Sequence, residues 1–330
     1  LFTSHFSERQ GKFVASLRTH DSNGWELNFI DTSGTEDSFH NKNHAWSGFL
    51  EMDYLDFSMS IFKAEVSEVQ TLSNGLISDV TARKSDRDFF ALGYNHEFNQ
   101  HWQGKIDLSS NSSNIAASQK YDARDTSLEL MTHGSFGKTD IDIGIRYRRN
   151  TLIDPTDIKV SEVDYKSAFS QLGQQLTKTT KLVAGLQIID PEVSGIQYAP
   201  RISLMTQHNH FLSSKLMYSR AYSTPTGVEF SIFVPNPAGS GPDLFNGNPN
   251  LVPTTLDSYD LQFTYTDTNS FAAMNFFYSK EQNSIGLVET NPGQTFPKRY
   301  ENLGSQEYRG MELEGKLDIN KYTHINLSYS

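Results

Sequence analysis

The chain has 330 residues, a formal net charge of -11 and no cysteine; 36% of it is hydrophobic and 12% aromatic. The missing thiols exclude a disulfide scaffold, thiolate metal sites and cysteine nucleophiles, and the acidic balance leaves no basic stripe for nucleic acid. A soluble α/β enzyme of this length fills its core with more Leu, Val and Ile, and no stretch approaches the ~18 consecutive apolar residues of a transmembrane helix.

The opening LFTSHFSERQ has no basic segment followed by an apolar run, so no signal peptide is visible. Strand-type alternation is expected from near Gly11, with a short polar link at His20 to Asn23 and a longer polar stretch at Thr32 to His44. A tight reversal is expected near Tyr54 and Leu55, although neither residue has turn chemistry. A long stretch, Val66 to Ser85, precedes a short link at Asn99 and Gln100. Trp102, Gly104, Ile106 and Leu108 then alternate with Gln103, Lys105, Asp107 and Ser109. After the long stretch Asn111 to Arg124 comes a short link at Gly137 and Lys138, and Ile141, Ile143, Ile145 and Tyr147 alternate with Asp140, Asp142, Gly144 and Arg146. Short links recur at Thr177 to Thr180 and His208 to His210, followed by the longest polar stretch, Tyr222 to Asp257. Tyr259, Leu261, Phe263 and Tyr265 resume the alternation, and Thr268 to Ser270 turns the chain back. Met311, Leu313, Leu317 and Ile319 lead to a last link at Asn320 and Lys321, after which Thr323, Ile325, Leu327 and Tyr329 alternate to the final residue. The chain begins and stops within this pattern, so both ends read as cuts through a longer protein.

Period two throughout makes one face apolar and the other polar, as a sheet between two different solvents requires. Short link, long stretch, short link is the pattern of an outer-membrane barrel, with tight periplasmic turns and extended outer loops. Templates of ~10 residues per strand place about sixteen strands in eight hairpins. Rings collect near the expected strand ends, among them Trp25, Trp46, Tyr54, Phe98, Trp102, Phe136 and Tyr278, which suits the headgroup level of a bilayer. A soluble sandwich or propeller is the competing fold; the propeller lacks its repeat, with no fixed period of ~40–50 residues.

Chemistry candidates are sparse. His40 with His44, and His208 with His210, invite a metal, but they fall in a polar loop and a turn, where solvated histidines are the expected reading. The acid pairs Asp140 with Asp142 and Glu312 with Glu314 have the spacing of one strand face; they fit a wet lumen better than a glycosidase dyad. Arg146, Arg148 and Arg149 form the one basic cluster, placed where a strand meets an outer loop, and are candidates for an anionic ligand or a plain rim charge. In the longest polar stretch Tyr222, Glu229, Phe230, Phe233, Phe245, Asn246 and Asn248 are candidate ligand contacts. Pro225, Pro235, Pro237, Pro242, Pro249 and Pro253 stiffen that stretch, and rings beside amides on a pre-organised loop suit a ligand with both apolar and polar surface. Loop-on-loop packing over the mouth is the alternative.

Three stretches resemble the TonB-dependent outer-membrane receptors. The first carries Tyr218, Arg220, Ala221, Tyr222 and Pro225; the second carries Asn248, Pro249, Leu251 and Pro253; the third carries Tyr300, Asn302, Gly304, Gly310, Glu312 and Glu314. Thr254 stands where the family usually has Glu. The resemblance implies an all-β, transmembrane antiparallel barrel of twenty-two strands with a plug folded inside. Residues 1–330 are then expected to be a partial barrel domain of about sixteen strands, without the plug, its TonB box and the last six strands. It also implies a bacterial outer-membrane transporter rather than an enzyme, needing no cofactor and monomeric in the lipid. Its expected cargo is a scarce nutrient, first a ferric siderophore, then cobalamin or haem, with energy delivered by TonB through the plug. A passive porin and a ligand-binding adhesin barrel are the other readings.

Overall fold

The computed structural model describes residues 2–6, 11–24, 26–30, 36–40, 42–73, 77–116, 120–154, 159–192, 194–234, 245–290 and 298–330. The elements in order are β1 (Phe2–Phe6), β2 (Gly11–Ser22), β3 (Glu26–Ile30), β4 (Glu36–His40), β5 (Asn43–Tyr54), β6 (Phe57–Ser73), β7 (Ile77–Asn99) and β8 (Trp102–Ala116). They continue with β9 (Lys120–Phe136), β10 (Thr139–Asp154), β11 (Lys159–Gln175), β12 (Thr180–Pro191), β13 (Gln197–Gln207) and β14 (Leu212–Ser223). A short helix α1 (Gly227–Ser231) follows, then β15 (Phe233–Val234), β16 (Phe245–Asn246), β17 (Thr254–Thr266) and β18 (Ser270–Gln282). The last elements are β19 (Ile285–Glu289), β20 (Lys298–Asn302), β21 (Gln306–Asn320) and β22 (Thr323–Tyr329). Sixteen strands share one sheet in the order β1-β2-β5-β6-β7-β8-β9-β10-β11-β12-β13-β14-β17-β18-β21-β22. Two satellites stand apart from it, the hairpin β3-β4 and the four-stranded β15-β16-β20-β19.

The chain divides into two compact units, residues 1–96 with 105–130 and 147–164, and residues 97–104 with 131–146 and 165–330. In the first, apolar residues stand in register across strands, Leu50↔Ile61↔Phe90 and Met52↔Met59↔Leu92, and Tyr54↔Phe57↔Tyr94 closes the rows at the turn end. In the second, one face runs from aliphatic to aromatic to ionic. Leu216↔Leu261↔Phe276↔Met311 lie beneath Tyr218↔Tyr259↔Tyr278, and above those come Arg220↔Asp257↔Lys280↔Glu307. The tyrosine rings follow one another at 4.9 and 6.3 Å. At the opposite end of the same face Trp102 meets Phe136 edge-on at 5.3 Å. Gly134 makes the space, since a Cβ there would lie 2.7 Å from the Trp102 ring.

Burial is inverted relative to a soluble protein. Among the described residues only Val163 and Leu251 are buried hydrophobics, while Ile143 is 48% and Phe263 38% exposed. The half-buried face is the polar one, where Asp142 bonds His133 at 2.7 Å and Gln171 at 3.1 Å, and Asp140 bonds Lys181 at 3.0 Å and Ser135 at 3.1 Å.

Seven of the expected short turns are present. In five of them a side-chain oxygen stands in for the missing ladder and accepts backbone N–H groups: Asn99, Thr177, Asn209, Asp267 and Asn320. The Asn269 N–H, the Tyr265 hydroxyl and Ser270 hold the Asp267 carboxyl down to about 2. Gly137 turns at φ 64°, and the reversal after Tyr54 is made by Leu55 at φ 53°. A left-handed leucine costs about 1–2 kcal/mol, and this one is exposed. Leu55→Gly is therefore expected to raise stability by up to about 1 kcal/mol in a urea titration in lipid vesicles; a drop would mean that the leucine side chain has contacts outweighing its backbone strain.

Several expectations are corrected. His20 to Asn23 is not a wall turn: β2 continues to Ser22, pairs with β5 (Asp21↔His44), and the hairpin β3-β4 fills the link between them. Sheet pairing begins before Gly11, because β1 pairs with β2. Val66 to Ser85 and Asn111 to Arg124 are largely strand, since β6 reaches Ser73, β7 starts at Ile77, β8 reaches Ala116 and β9 starts at Lys120. Main-chain pairing needs no apolar face, so polar composition did not end these strands. Trp25 lies outside the described residues.

Candidate functional site

The described residues between β14 and β17, 224–234 and 245–253, fold against one another as a small body. Thr226 and Glu229 form a reciprocal capping box that starts α1, with the Thr226 N–H donating to Glu229 at 2.6 Å. The chain then returns along the helix, where the Gly247 N–H donates to Ile232 O at 2.7 Å and the Asn248 N–H to Glu229 O at 2.9 Å. Gly247 is obligatory in this return, because a Cβ would sit 2.4 Å from the Phe230 carbonyl oxygen. β16 then pairs in parallel with β20, Phe245↔Lys298 and Asn246↔Arg299, joining this stretch to the one between β18 and β21.

Two asparagine amides cross between the stretches. Asn248, 4% exposed, donates to Tyr300 O at 2.9 Å and Glu301 Oε2 at 3.1 Å, and accepts from Asn250 N at 3.0 Å and Arg299 Nη2 at 3.1 Å. Asn302 accepts from Val252 N at 2.9 Å and donates to Val252 O at 2.8 Å and Asn283 O at 2.9 Å. Leu251 is 2% exposed and Pro225 fully buried. Thr254 donates its hydroxyl to the same Asn283 carbonyl at 3.0 Å.

The family model for the β-barrel of TonB dependent receptor-like proteins matches residues 24–330. The chain belongs to this family. Its fold matches the siderophore receptor PirA of Pseudomonas aeruginosa, with TM-score 0.76, 14% identity, and coverage of 99% of this chain and 61% of that one. A mutant of the ferric enterobactin receptor PfeA, also from Pseudomonas aeruginosa, matches with TM-score 0.73, 13% identity, and coverage of 99% and 58%. A double mutant of the Serratia marcescens hemophore receptor HasR, in complex with HasA and heme, matches with TM-score 0.68, 12% identity, and coverage of 97% and 58%. The chain thus spans about three-fifths of the length of these receptors. No curated protein sequence matches it. Barrels of this TonB-dependent family are outer-membrane transport receptors, and the exposed apolar face is the one such a barrel turns to lipid.

Within the receptor barrel the motif residues find physical roles. Tyr218 and Arg220 share a strand face, so both reach Asp257 on the neighbouring strand, the hydroxyl at 2.9 Å and the guanidinium in two bonds of 2.8 Å. Gly310 leaves room for Phe277, whose ring would be 2.7 Å from a Cβ. Glu312 and Glu314 line a recess of about 330 Å³ on the polar face, with Gln262 and Asn275. Nothing in the structure explains a glycine at position 304.

The candidate ligand contacts divide. Tyr222, Phe230 and Phe245 are half-buried, Phe233 is half exposed, and Asn246 sits beside Phe245 on β16, while Glu229 and Asn248 are engaged in the cap and the amide network. Pro235, Asn236, Pro237 and Pro242 lie outside the described residues. The three arginines lie within β10, which runs on to Asp154, and not at its end. Arg149 holds Asp164 in two bonds of 2.7 and 2.9 Å, and Arg148 holds Asp125 at 2.5 Å. His208 bonds Ser214 at 2.7 Å in its turn, and His44 bonds Asp21 at 2.5 Å; the His40 side chain lies outside the described residues. Lys298, Arg299 and Asn283 were not among the sequence candidates. The pairing that recruits Lys298 and Arg299 spans about fifty residues, and the bonds to Asn283 span 29 and 19, so none leaves a local periodicity.

Proposed function

We propose that the intact protein is an active-transport receptor of the bacterial outer membrane that binds a ferric siderophore outside and imports it with energy from TonB. The observation that carries this reading is the outer body on the β14–β17 connection. It sets Phe233, Phe245 and Asn246 on short strands, with Lys298 and Arg299 in register alongside and Arg299 already bonded to Asn248 and Glu301, and so gathers rings, amides and cations on one frame. Such a frame suits a bulky anionic chelate with aromatic or apolar surface. PirA and PfeA, which this chain resembles in fold, are siderophore receptors by name. Haem is the second reading, favoured by the likeness to HasR. Cobalamin is a more distant alternative, and a passive porin or an adhesin barrel would make no use of TonB. Arg146, Arg148 and Arg149 are kept as candidate contacts for the anion, and Tyr222, Glu229, Phe230 and Asn248 are kept separately as candidate contacts of the body. On this reading the protein is a monomer surrounded by outer-membrane lipid, and TonB engages it through a plug domain.

Removing residues 229–246 tests the proposal. The cut joins Val228 to Gly247 and takes away the end of α1 on which Gly247 packs, together with Phe233, Phe245 and Asn246. An iron-starved host carrying the deleted receptor is expected to lose growth on ferric enterobactin or haem, supplied separately, while the barrel stays folded by heat-modifiable gel mobility. Unchanged growth with a folded barrel would remove this body from the ligand site.

A further inference from the structure

We infer that the β14–β17 and β18–β21 connections form one conformational unit, latched by Asn248 and Asn302 as positioning residues, so that neither rearranges without the other. The bonding is reciprocal. Asn248 belongs to the first connection but makes three of its four bonds to the second, to Tyr300, Glu301 and Arg299. Asn302 belongs to the second and clasps both the N–H and the C=O of Val252 in the first, as a neighbouring strand would. Its remaining donor goes to Asn283, whose carbonyl also takes the Thr254 hydroxyl at the start of β17. Four bonds exhaust the hydrogen-bonding capacity of a side-chain amide, and glutamine, which alone shares that donor and acceptor count, carries it one methylene further from the backbone. The β16–β20 pairing adds main-chain links between the same two connections.

The two amides are not equivalent. Asn248 is buried, so removing it empties a site closed to water and leaves the half-buried Tyr300 carbonyl without its partner, the costly way to lose a hydrogen bond, while the more exposed Glu301 and Arg299 side chains turn to water and to each other. Val252 is 46% exposed, so water replaces much of what Asn302 gives up. The latch is therefore graded, with Asn248 the stronger half.

The latch stands on geometry alone, but its bearing on uptake rests on the receptor reading above. The test is hydrogen exchange by mass spectrometry on the intact receptor in detergent micelles. Asn248→Ala is expected to speed exchange by about tenfold or more in peptides from both connections, 227–234 with 245–253 and 284–290 with 298–303, and to leave β17 and β18 protected. Asn302→Ala is expected to do the same more weakly, and it decides the matter if Asn248→Ala does not fold. Asn248→Asp keeps the acceptor but turns a charged oxygen toward the Tyr300 carbonyl and the Glu301 carboxylate in a buried site, so it should loosen both connections at least as much as Ala. Faster exchange confined to the connection that carries the substitution, in either alanine variant, would overturn the latch. Uptake of radioactive iron from ferric enterobactin, or of haem, separates the two claims. Loosening of both connections with unchanged uptake of both cargoes supports the latch and counts against the ligand reading. Lost uptake with loosening in one connection alone overturns the latch and leaves the ligand reading in place.

Discussion

Arginine at Ile143 or at Phe263 is expected to cost the folded barrel about 2–4 kcal/mol in a bilayer, the penalty for a guanidinium on the lipid face near mid-span. Both side chains are exposed to whatever surrounds the sheet; Phe263 lies between Tyr259 and Tyr265 on β17, and Ile143 lies four residues before Tyr147, the one aromatic residue of β10. In water such a substitution would be close to neutral, because an exposed position welcomes charge. The sign of the experiment therefore depends on what solvates this face. Gln262→Arg is the matched control, one residue from Phe263 on the opposite face and beside Glu312 and Glu314, and it should cost far less. Asp142 is a poorer control, since it already holds His133 and Gln171 and its loss would be felt for that reason. Equilibrium unfolding in lipid vesicles gives the three values. Equal costs at Phe263 and Gln262 would overturn the assignment of faces.

The second large effect is expected at Gly247→Ala. The added Cβ would meet Phe230 O at 2.4 Å, Phe230 C at 2.5 Å and Ser231 N at 2.7 Å. All three are backbone atoms at the end of α1, so no side-chain rotation relieves the contact. The return strand must lift away and lose the Gly247–Ile232 and Asn248–Glu229 bonds. Overpacking of this kind costs about 1–3 kcal/mol, spent here on the outer body and not on the wall. Loss of protection in residues 226–234, with the sheet melting as in wild type, is the expected outcome. Gly304→Ala, with nothing within 4 Å of its Cβ, should be silent. A silent Gly247→Ala would mean that the helix and the return strand are not packed as described.

The sequence was legible where two solvents imposed a pattern. Tyr259, Leu261, Phe263 and Tyr265 alternate with Asp260, Gln262 and Thr264 because one side needs lipid and the other water, and the register bears this out. The short turns were legible because Asn99, Asn209 and Asp267 are there to accept N–H groups. Where water lies on both faces the constraint vanishes while main-chain pairing goes on, so the far ends of β6, β7, β8 and β9 looked like loop. β3 fell where a wall strand was expected, while β4 lies in the stretch Thr32 to His44 that read as loop. At the outer body the residues were legible and their partners were not. Asn248 and Asn302 stood out through family resemblance, but their bonds run to residues some fifty positions away. Arg220 likewise gave no hint that Asp257 would receive it.

The near-absence of buried apolar side chains among the described residues has a consequence for how this wall can vary. In a soluble core each side chain is fitted to its neighbours' shapes, and a change at one site demands an answer at another. Here the membrane-facing side asks only that a residue be greasy, and fluid acyl chains mould themselves to whatever is offered. Strand order and spacing are kept by main-chain pairing, which is indifferent to identity. Such a surface can exchange almost every residue by neutral drift and keep its architecture, and that is how 14% identity to PirA coexists with a TM-score of 0.76.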